Sequence, residues 1–285
     1  NVAFINTLTC KLNVALPAYM SRFLSIIIVA GVLVSCGEHR KVLRSDDMQY
    51  KYDMAIQYMD GEKFAKAYPL LDELYIMYRG SEKGEKIAFT LAECELGLKD
   101  YILASHRYEQ FFKNYPHSEY AEEAQFKSAY CNYELSPKYS LDQTDTYKAI
   151  RSFQLFTIQH PESDLIDSTN TLLDELRYKI ELKDYKSAKL YYNREAYRAA
   201  TVAFKNFNDR YPNSRYSEET WFLWYKSSYL LAVNSVEEKK SERMEKALEA
   251  YLTFADRFPE SEYGREAENL NKDLLKKQLQ EQNQA

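Results

Sequence analysis

Few residues in this 285-residue chain are spaced for bond-making chemistry. Its four histidines, His39, His106, His117 and His160, have no second histidine three or four residues away. No HExxH or CxxC pair occurs either, so the usual ligand sets of a zinc site are missing. The seven glycines are dispersed and build no phosphate-cradling loop, and there is no nucleophile elbow. With 43 acidic residues, two carboxylates can meet by accident, so a paired-acid hydrolase finds no specific support. Cys94 and Cys131 each fall five residues after a phenylalanine, Phe89 and Phe126. They read as buried thiols, which pack as small hydrophobes, or as a disulfide in an oxidising compartment. No cofactor, metal or catalytic residue is therefore expected.

What the chain does repeat is a packing pattern. An alanine is followed by large apolar residues four and seven positions on, then by proline at position twelve and serine at fourteen. The copies are Ala67-Leu71-Leu74-Arg79-Ser81, Ala104-Tyr108-Phe111-Pro116-Ser118, Ala149-Phe153-Phe156-Pro161-Ser163, Ala200-Phe204-Phe207-Pro212-Ser214 and Ala247-Tyr251-Phe254-Pro259-Ser261. Residues i, i+4 and i+7 share one stripe of an α-helix. The small alanine lets a neighbouring helix approach, the large residues fill the space beside it, and the proline ends the helix. The serine is expected to cap the next helix, with acids such as Glu122, Glu123, Glu218 and Glu219 in its first turn. This spacing resembles the tetratricopeptide repeat, whose period is 34 residues. Here the alanines step by 37, 45, 51 and 47. Inserts at 135–145 and 234–242 take up part of the excess. The proline- and glycine-free run from Leu165 to Tyr192 takes up more, as one long helix or two nearly continuous ones. The expected fold is all-α, an α-solenoid of about five tetratricopeptide-like helix pairs over residues 48–270, followed by a polar, fraying tail over 271–285. Many of the 26 tyrosines fall on repeat core positions (Tyr101, Tyr108, Tyr197, Tyr251). Tyr52, Tyr191 and Tyr192 fall on first helices, where an amphipathic ring is suited to a binding groove.

The front of the chain has a different composition. From Met20 it reads MSRFLSIIIVAGVLVSCGE: Arg22, then twelve apolar or small residues from Phe23 to Val34. That run is too short to span a bilayer and has the form of a secretory signal. Leu33-Val34-Ser35-Cys36-Gly37 resembles the bacterial lipobox, in which the cysteine becomes the lipidated first residue. Several acyl chains would anchor the protein stably where one would not. Met20 reads as the start, and residues 1–35 as an upstream segment plus signal. Without them 36 basic residues face 43 acidic ones, a net charge of −7, which argues against a nucleic-acid partner. Residues 36–47 read as the lipidated N-terminus and a polar linker, basic at first (His39, Arg40, Lys41, Arg44). The linker is a solvated tether or an attraction to anionic headgroups.

A lipobox, five repeats, a long fourth-unit helix and Tyr191-Tyr192-Asn193-Arg194 before Tyr197-x-x-Ala200 together resemble the BamD family over about residues 36–270. The family implies a lipid anchor at Cys36 on the periplasmic face of the outer membrane. It implies N-terminal repeats that receive unfolded outer-membrane proteins and C-terminal repeats that dock a BamA-like barrel subunit, alongside other assembly subunits. No bond-making step is implied. Contacts carried over by repeat position are Tyr52, Ile56, Tyr78, Phe89 and Glu93 in the first two repeats, with Gln49 beside them, and Arg194 at the fourth-repeat turn. Arg79 stands in the proline slot next to Tyr78, so that turn is expected to differ. Two alternatives stand beside this reading: a cell-envelope scaffold for peptidoglycan or division enzymes, and a SusD-like glycan binder. The second is disfavoured because the inserts are too short for a ligand-binding domain.

Overall fold

The computed structural model describes residues 37–282, and every regular element among them is an α-helix. A short helix, α1, covers 37–43. The remaining helices are α2 (Met48–Asp60), α3 (Phe64–Met77), α4 (Glu82–Gly97), α5 (Tyr101–Asn114), α6 (Ala121–Leu135), α7 (Thr144–Gln159), α8 (Ile166–Asn193), α9 (Tyr197–Arg210), α10 (Ser217–Val233), α11 (Glu237–Arg257) and α12 (Gly264–Gln282). The five motif alanines fall on α3, α5, α7, α9 and α11, and α3, α5, α9 and α11 each pack on the helix before them, as the expected helix pairs require. The chain forms two compact units, one ending at Cys131 and the other beginning at Asn132.

The repeat stripe is the core. Ala67, Ala104, Ala149, Ala200 and Ala247 are each 0% exposed. Leu71, Leu74, Tyr108, Phe111, Phe153, Phe156, Phe204, Phe207 and Phe254 are buried with them, and Tyr251 is half-buried. Burying one such large side chain fully contributes about 1.5–3 kcal/mol. In the first unit the alanine of α3 lies in one cluster with Ala55, Tyr58, Ile87 and Leu91. In the second, Ala200, Phe204, Ala247 and Phe254 share a cluster with Trp221, Phe222 and Tyr225 of α10.

Four of the motif helices end in the same way. The residue before the proline closes the last turn by donation: Tyr115, His160, Tyr211 and Phe258 donate N–H to the carbonyls of Phe111, Phe156, Phe207 and Phe254 respectively. Their backbones repeat closely, at φ/ψ of −126/60, −129/60, −126/63 and −132/66. A following proline disfavours the helical region for the residue before it, and here the helix opens at that residue. Each of these rings also lies tilted against the aromatic four residues earlier, at centroid distances of 5.2, 5.0, 5.0 and 5.9 Å. The first copy differs as expected. With Arg79 in place of proline, Tyr78 stays near the helical bridge at φ/ψ of −98/11, and Gly80 takes φ of +82°. The Tyr78 carbonyl then folds over the start of α4, accepting from Ser81 N–H at 3.0 Å and from Ser81 Oγ at 2.7 Å.

The serines do not all cap helices as the spacing suggested. Ser81 is the N-cap of α4, accepting from the N–H of Gly84. In the other four copies the hydroxyl accepts from the N–H two residues on, at Tyr120, Leu165, Tyr216 and Tyr263. That closes a serine turn, and the helix begins only afterwards. The reason is the proline turn, which places serine three residues before the first helical residue; its carbonyl still accepts from Ala121, Ile166, Ser217 and Gly264.

Three other expectations meet a definite outcome. The run from Leu165 is one helix of 28 residues, α8. Its buried positions step 173, 176, 180 and then 185, 188, and the five-residue step turns the apolar stripe by about 100° relative to a four-residue step. The two halves thus face different neighbours, and α8 packs on both α7 and α9. The stretch at 234–242 is mostly the first turns of α11, which starts at Glu237. The tail expected to fray continues α12 to Gln282, with Leu274 fully buried and Asp273 accepting from Tyr229 Oη at 2.5 Å. Its polar composition hid one apolar seam.

Gly84 tests the exceptional first turn. A Cβ there would lie 2.2 Å from the Tyr78 carbonyl oxygen, whereas at Gly264 a Cβ meets nothing within 4 Å. Gly84→Ala is expected to lower stability by about 1–3 kcal/mol, and Gly264→Ala to be neutral or slightly stabilising. Urea unfolding of the two variants checks both.

Candidate functional site

The first unit gathers five of the six partner residues named from the sequence. Tyr52 and Ile56 lie one turn apart on α2, half-buried, and Tyr52 packs on the first core cluster. Tyr78 caps the C-terminus of α3, packs on that same cluster, and has the Lys83 ammonium 5.9 Å above its ring. Phe89 and Glu93 share one face of α4. The Phe89 ring stacks on Tyr120 at 4.8 Å and meets Phe111 edge-on at 5.4 Å, with Lys127 5.4 Å from its centroid. Glu93 accepts from the Tyr108 hydroxyl and from Lys127 Nζ at 2.6 Å. Burial first, and then this carboxylate, push the Tyr108 phenol well up, so it remains a donor. Phe89 and Glu93 therefore tie α4 to α5 and α6, and present to solvent only the parts of their side chains left over.

Deeper in the same unit, Arg107 of α5 donates to Glu95 at 2.5 Å and to Asp72 at 3.3 Å, over the ring of Tyr75. A cavity of about 220 Å³ opens beside it, lined by Tyr75, His106, Arg107, Gln110 and Tyr115 among others. Glu95 is fully buried, and its second oxygen, Oε2, has no hydrogen-bond partner. Burial pushes its carboxyl up to about 7, against the downward pull of Arg107.

The sixth residue, Arg194, belongs to the second unit. It is exposed, and it caps α8 by donating N–H to the Leu190 carbonyl. The next residue, Glu195, takes φ of +59° to turn the chain into α9. This turn forms one wall of an open groove of about 860 Å³, lined by Tyr191, Glu195, Arg198, Val202, Leu231 and Asn234 among others. Adjacent tyrosines divide there. Tyr192 packs into the core cluster, while Tyr191 is 44% exposed and lines the groove. On α9, Arg198, Val202 and Asn206 lie at four-residue steps, offset from the buried stripe of Ala200, Phe204 and Phe207. Val202 is 58% exposed. An aromatic ring, an aliphatic side chain and flanking charges in one concavity suit a protein segment with an apolar anchor. The pattern reading had singled out Tyr191 but not Val202, Leu231 or Asn234. The visible signal was the small pair Ala199 and Ala203, which leaves the outer face of α9 shallow.

Most of the remaining tyrosine chemistry is internal. Tyr185 stacks on Tyr216 at 4.0 Å and 7°, and donates to Glu219 at 2.5 Å, which also accepts from Lys189 at 2.7 Å. Cys94 and Cys131 are both buried thiols; Cys94 donates to the Phe64 carbonyl at 3.3 Å, and burial pushes its thiol up to about 12. Cys36 lies outside the described residues. Among the described residues no group of three or more His, Cys, Asp or Glu is placed to hold a metal ion, and no helix is long and apolar enough to cross a membrane.

The profile of a protein family described as YfiO, outer membrane lipoprotein, matches residues 44–243. No curated protein matches the sequence. Among solved structures, the TPR2AB-domain:pHSP90-complex of yeast Sti1 is similar at 12% identity over 80% of this chain and 98% of that one, with a TM-score of 0.39.

The buried Glu95 supplies a pH test. Its folded value lies above the ordinary 4.5, so between about 4.5 and 7 the folded chain holds a proton that the unfolded chain has released. Stability from this group is full below that window and is lost as pH rises through 7, by an amount on the order of 2 kcal/mol. Unfolding free energies of the parent and of Glu95→Gln, whose amide stands in for the protonated carboxyl, should run together below about pH 4.5 and diverge as pH rises, the parent falling below the variant. Parallel curves would show that Glu95 ionises as it does in the unfolded chain.

Proposed function

The chain belongs to the YfiO family of outer membrane lipoproteins, the BamD-like family, and from that premise we propose that it is a lipid-anchored periplasmic scaffold of the β-barrel assembly machinery. On this reading Cys36 carries the lipid after cleavage of the signal that starts at Met20. The helix pairs hold partners and catalyse no bond-making step. The first unit, around Tyr52, Ile56, Tyr78, Phe89 and Glu93, receives unfolded outer-membrane proteins. The groove beside Arg194 docks the periplasmic part of a BamA-like barrel subunit. The observation that carries the reading is the family match across residues 44–243, which runs from just before the first helix pair into α11. The groove supports it: its exposed Tyr191 and Val202 are the apolar anchors such docking needs.

Two measurements test it. Cys36→Ser should move the protein from the membrane to the soluble fraction and abolish labelling by a fatty-acid probe; unchanged labelling would sink the lipid assignment. Gentle detergent extraction followed by capture of this chain should recover a β-barrel protein with periplasmic repeats. Recovery of cell-wall enzymes in its place would favour a peptidoglycan or division scaffold. Val202→Glu should cut recovery of the barrel protein at least about tenfold, since a charge in an apolar contact costs more than 1.4 kcal/mol. Its thermal unfolding should stay unchanged, because residue 202 is exposed.

A further inference from the structure

The segment read as a solvated tether, residues 37–47, is ordered from its first described residue. Residues 37–43 are helical, and the turn continues through Arg44, whose N–H donates to the Arg40 carbonyl at 3.3 Å. This helix is docked: Val42 is 0% exposed within the first core cluster, and the His39 ring meets the Tyr58 ring edge-on at 5.4 Å. Ser45 donates to the Val42 carbonyl, its Oγ accepts from Asp47 N–H, and Asp47 in turn caps α2, so the connection is held by hydrogen bonds.

Docking one face fixes the other. At about 100° per residue, Arg40, Lys41 and Arg44 fall together on the face opposite Val42 and His39, and all three are exposed. Leu43, 37% exposed, flanks them. The nearby acids are largely elsewhere: Glu38 lies on the docked side, where its charge acts on Tyr58, and Asp47 is engaged by the N–H groups of Gln49 and Tyr50. Glu38, exposed on the docked side, and Asp46 are the acids of residues 37–47 without a capping role. On a chain of net negative charge, this gives a small cationic face held rigidly against the first helix pair. Gly37, the residue after Cys36 in sequence, stands about 8 Å along the helix axis from Val42.

We infer that α1 is a headgroup-binding element: Arg40, Lys41 and Arg44 bind the phosphates of an anionic phospholipid surface and fix the first helix pair against the membrane. The placement beside the anchor rests on the lipoprotein reading above; the binding itself does not. Cations near an anionic bilayer surface attract it by about a fivefold gain in affinity each, and salt screens the attraction.

The test uses the chain from residue 36 onward with Cys36→Ser, which carries no acyl group. It should sediment with vesicles of phosphatidylethanolamine containing added phosphatidylglycerol, not with phosphatidylethanolamine–phosphatidylcholine vesicles, and should be released by salt. Arg40→Gln, Lys41→Gln and Arg44→Gln should each weaken binding about fivefold, with helix content unchanged by circular dichroism. Absence of binding to the anionic vesicles, equal binding to both vesicle types, or binding unaffected by the triple substitution would overturn the inference. Fatty-acid labelling of the unsubstituted chain reports separately on the anchor, so either reading can fail alone.

Discussion

Each helix pair depends on where its second helix is forced to stop. A proline twelve residues after the buried alanine pushes the preceding residue out of the helical region, and four copies answer with nearly identical backbone angles. Because the stop lies at a fixed rotation from the alanine stripe, the next helix starts from the same place relative to the core each time. The serine turn then sets the two residues that follow. Packing and turn chemistry are thus one constraint, seen at two ends of the same fourteen residues. Where proline is missing, after α3, a glycine at positive φ and a second glycine under a folded-back carbonyl are needed to reach α4.

That regularity explains why so much of the core was legible. The spacing named the buried stripe residue by residue, since a stripe at i, i+4 and i+7 with a terminator admits one solution on a helix. It also located the irregular turn at Tyr78 and the uninterrupted run from Leu165, leaving open whether that run is one helix or two. It failed where local chemistry competes. Serine serves a cap and a turn equally well, and the choice was made by the backbone that proline imposes. The tail at 271–282 looked unable to bury itself because its apolar content is low. One leucine, Leu274, and tyrosine–carboxylate bonds such as Tyr229 to Asp273 were enough, and such bonds leave no periodic trace in hydropathy.

The candidate surface was less legible for a related reason. Sequence position on a repeat tells which way a residue faces, but not what its neighbours have already taken. Phe89 and Glu93 share one face of α4, but an aromatic stack and a tyrosine–carboxylate–lysine bond occupy much of them. Tyr191 and Tyr192 are adjacent and chemically identical; only the packing of α8 on α10 decides that one is core and the other groove. Val202 was hidden because it sits between motif positions, where the pattern makes no demand.

A scaffold of this type uses most of its chemistry to remain a scaffold. Buried charge is an example: Glu95, held by Arg107 with one oxygen unpartnered, costs stability when ionised and is retained at the seam of α3, α4 and α5. A neutral apolar residue would pack there at lower cost. What the ion pair supplies is direction, since Arg107 must also reach Asp72 and lie on Tyr75, which fixes three helices in one register. The same logic applies to the tyrosines, whose hydroxyls reach carboxylates across helix seams while their rings fill the stripe. Repeats held rigid in this way keep their exposed apolar residues, few and separate, at fixed positions. On the docking role proposed for it, a groove with Tyr191 and Val202 on fixed walls would select a partner without reshaping itself and without the ordering cost a flexible loop would add.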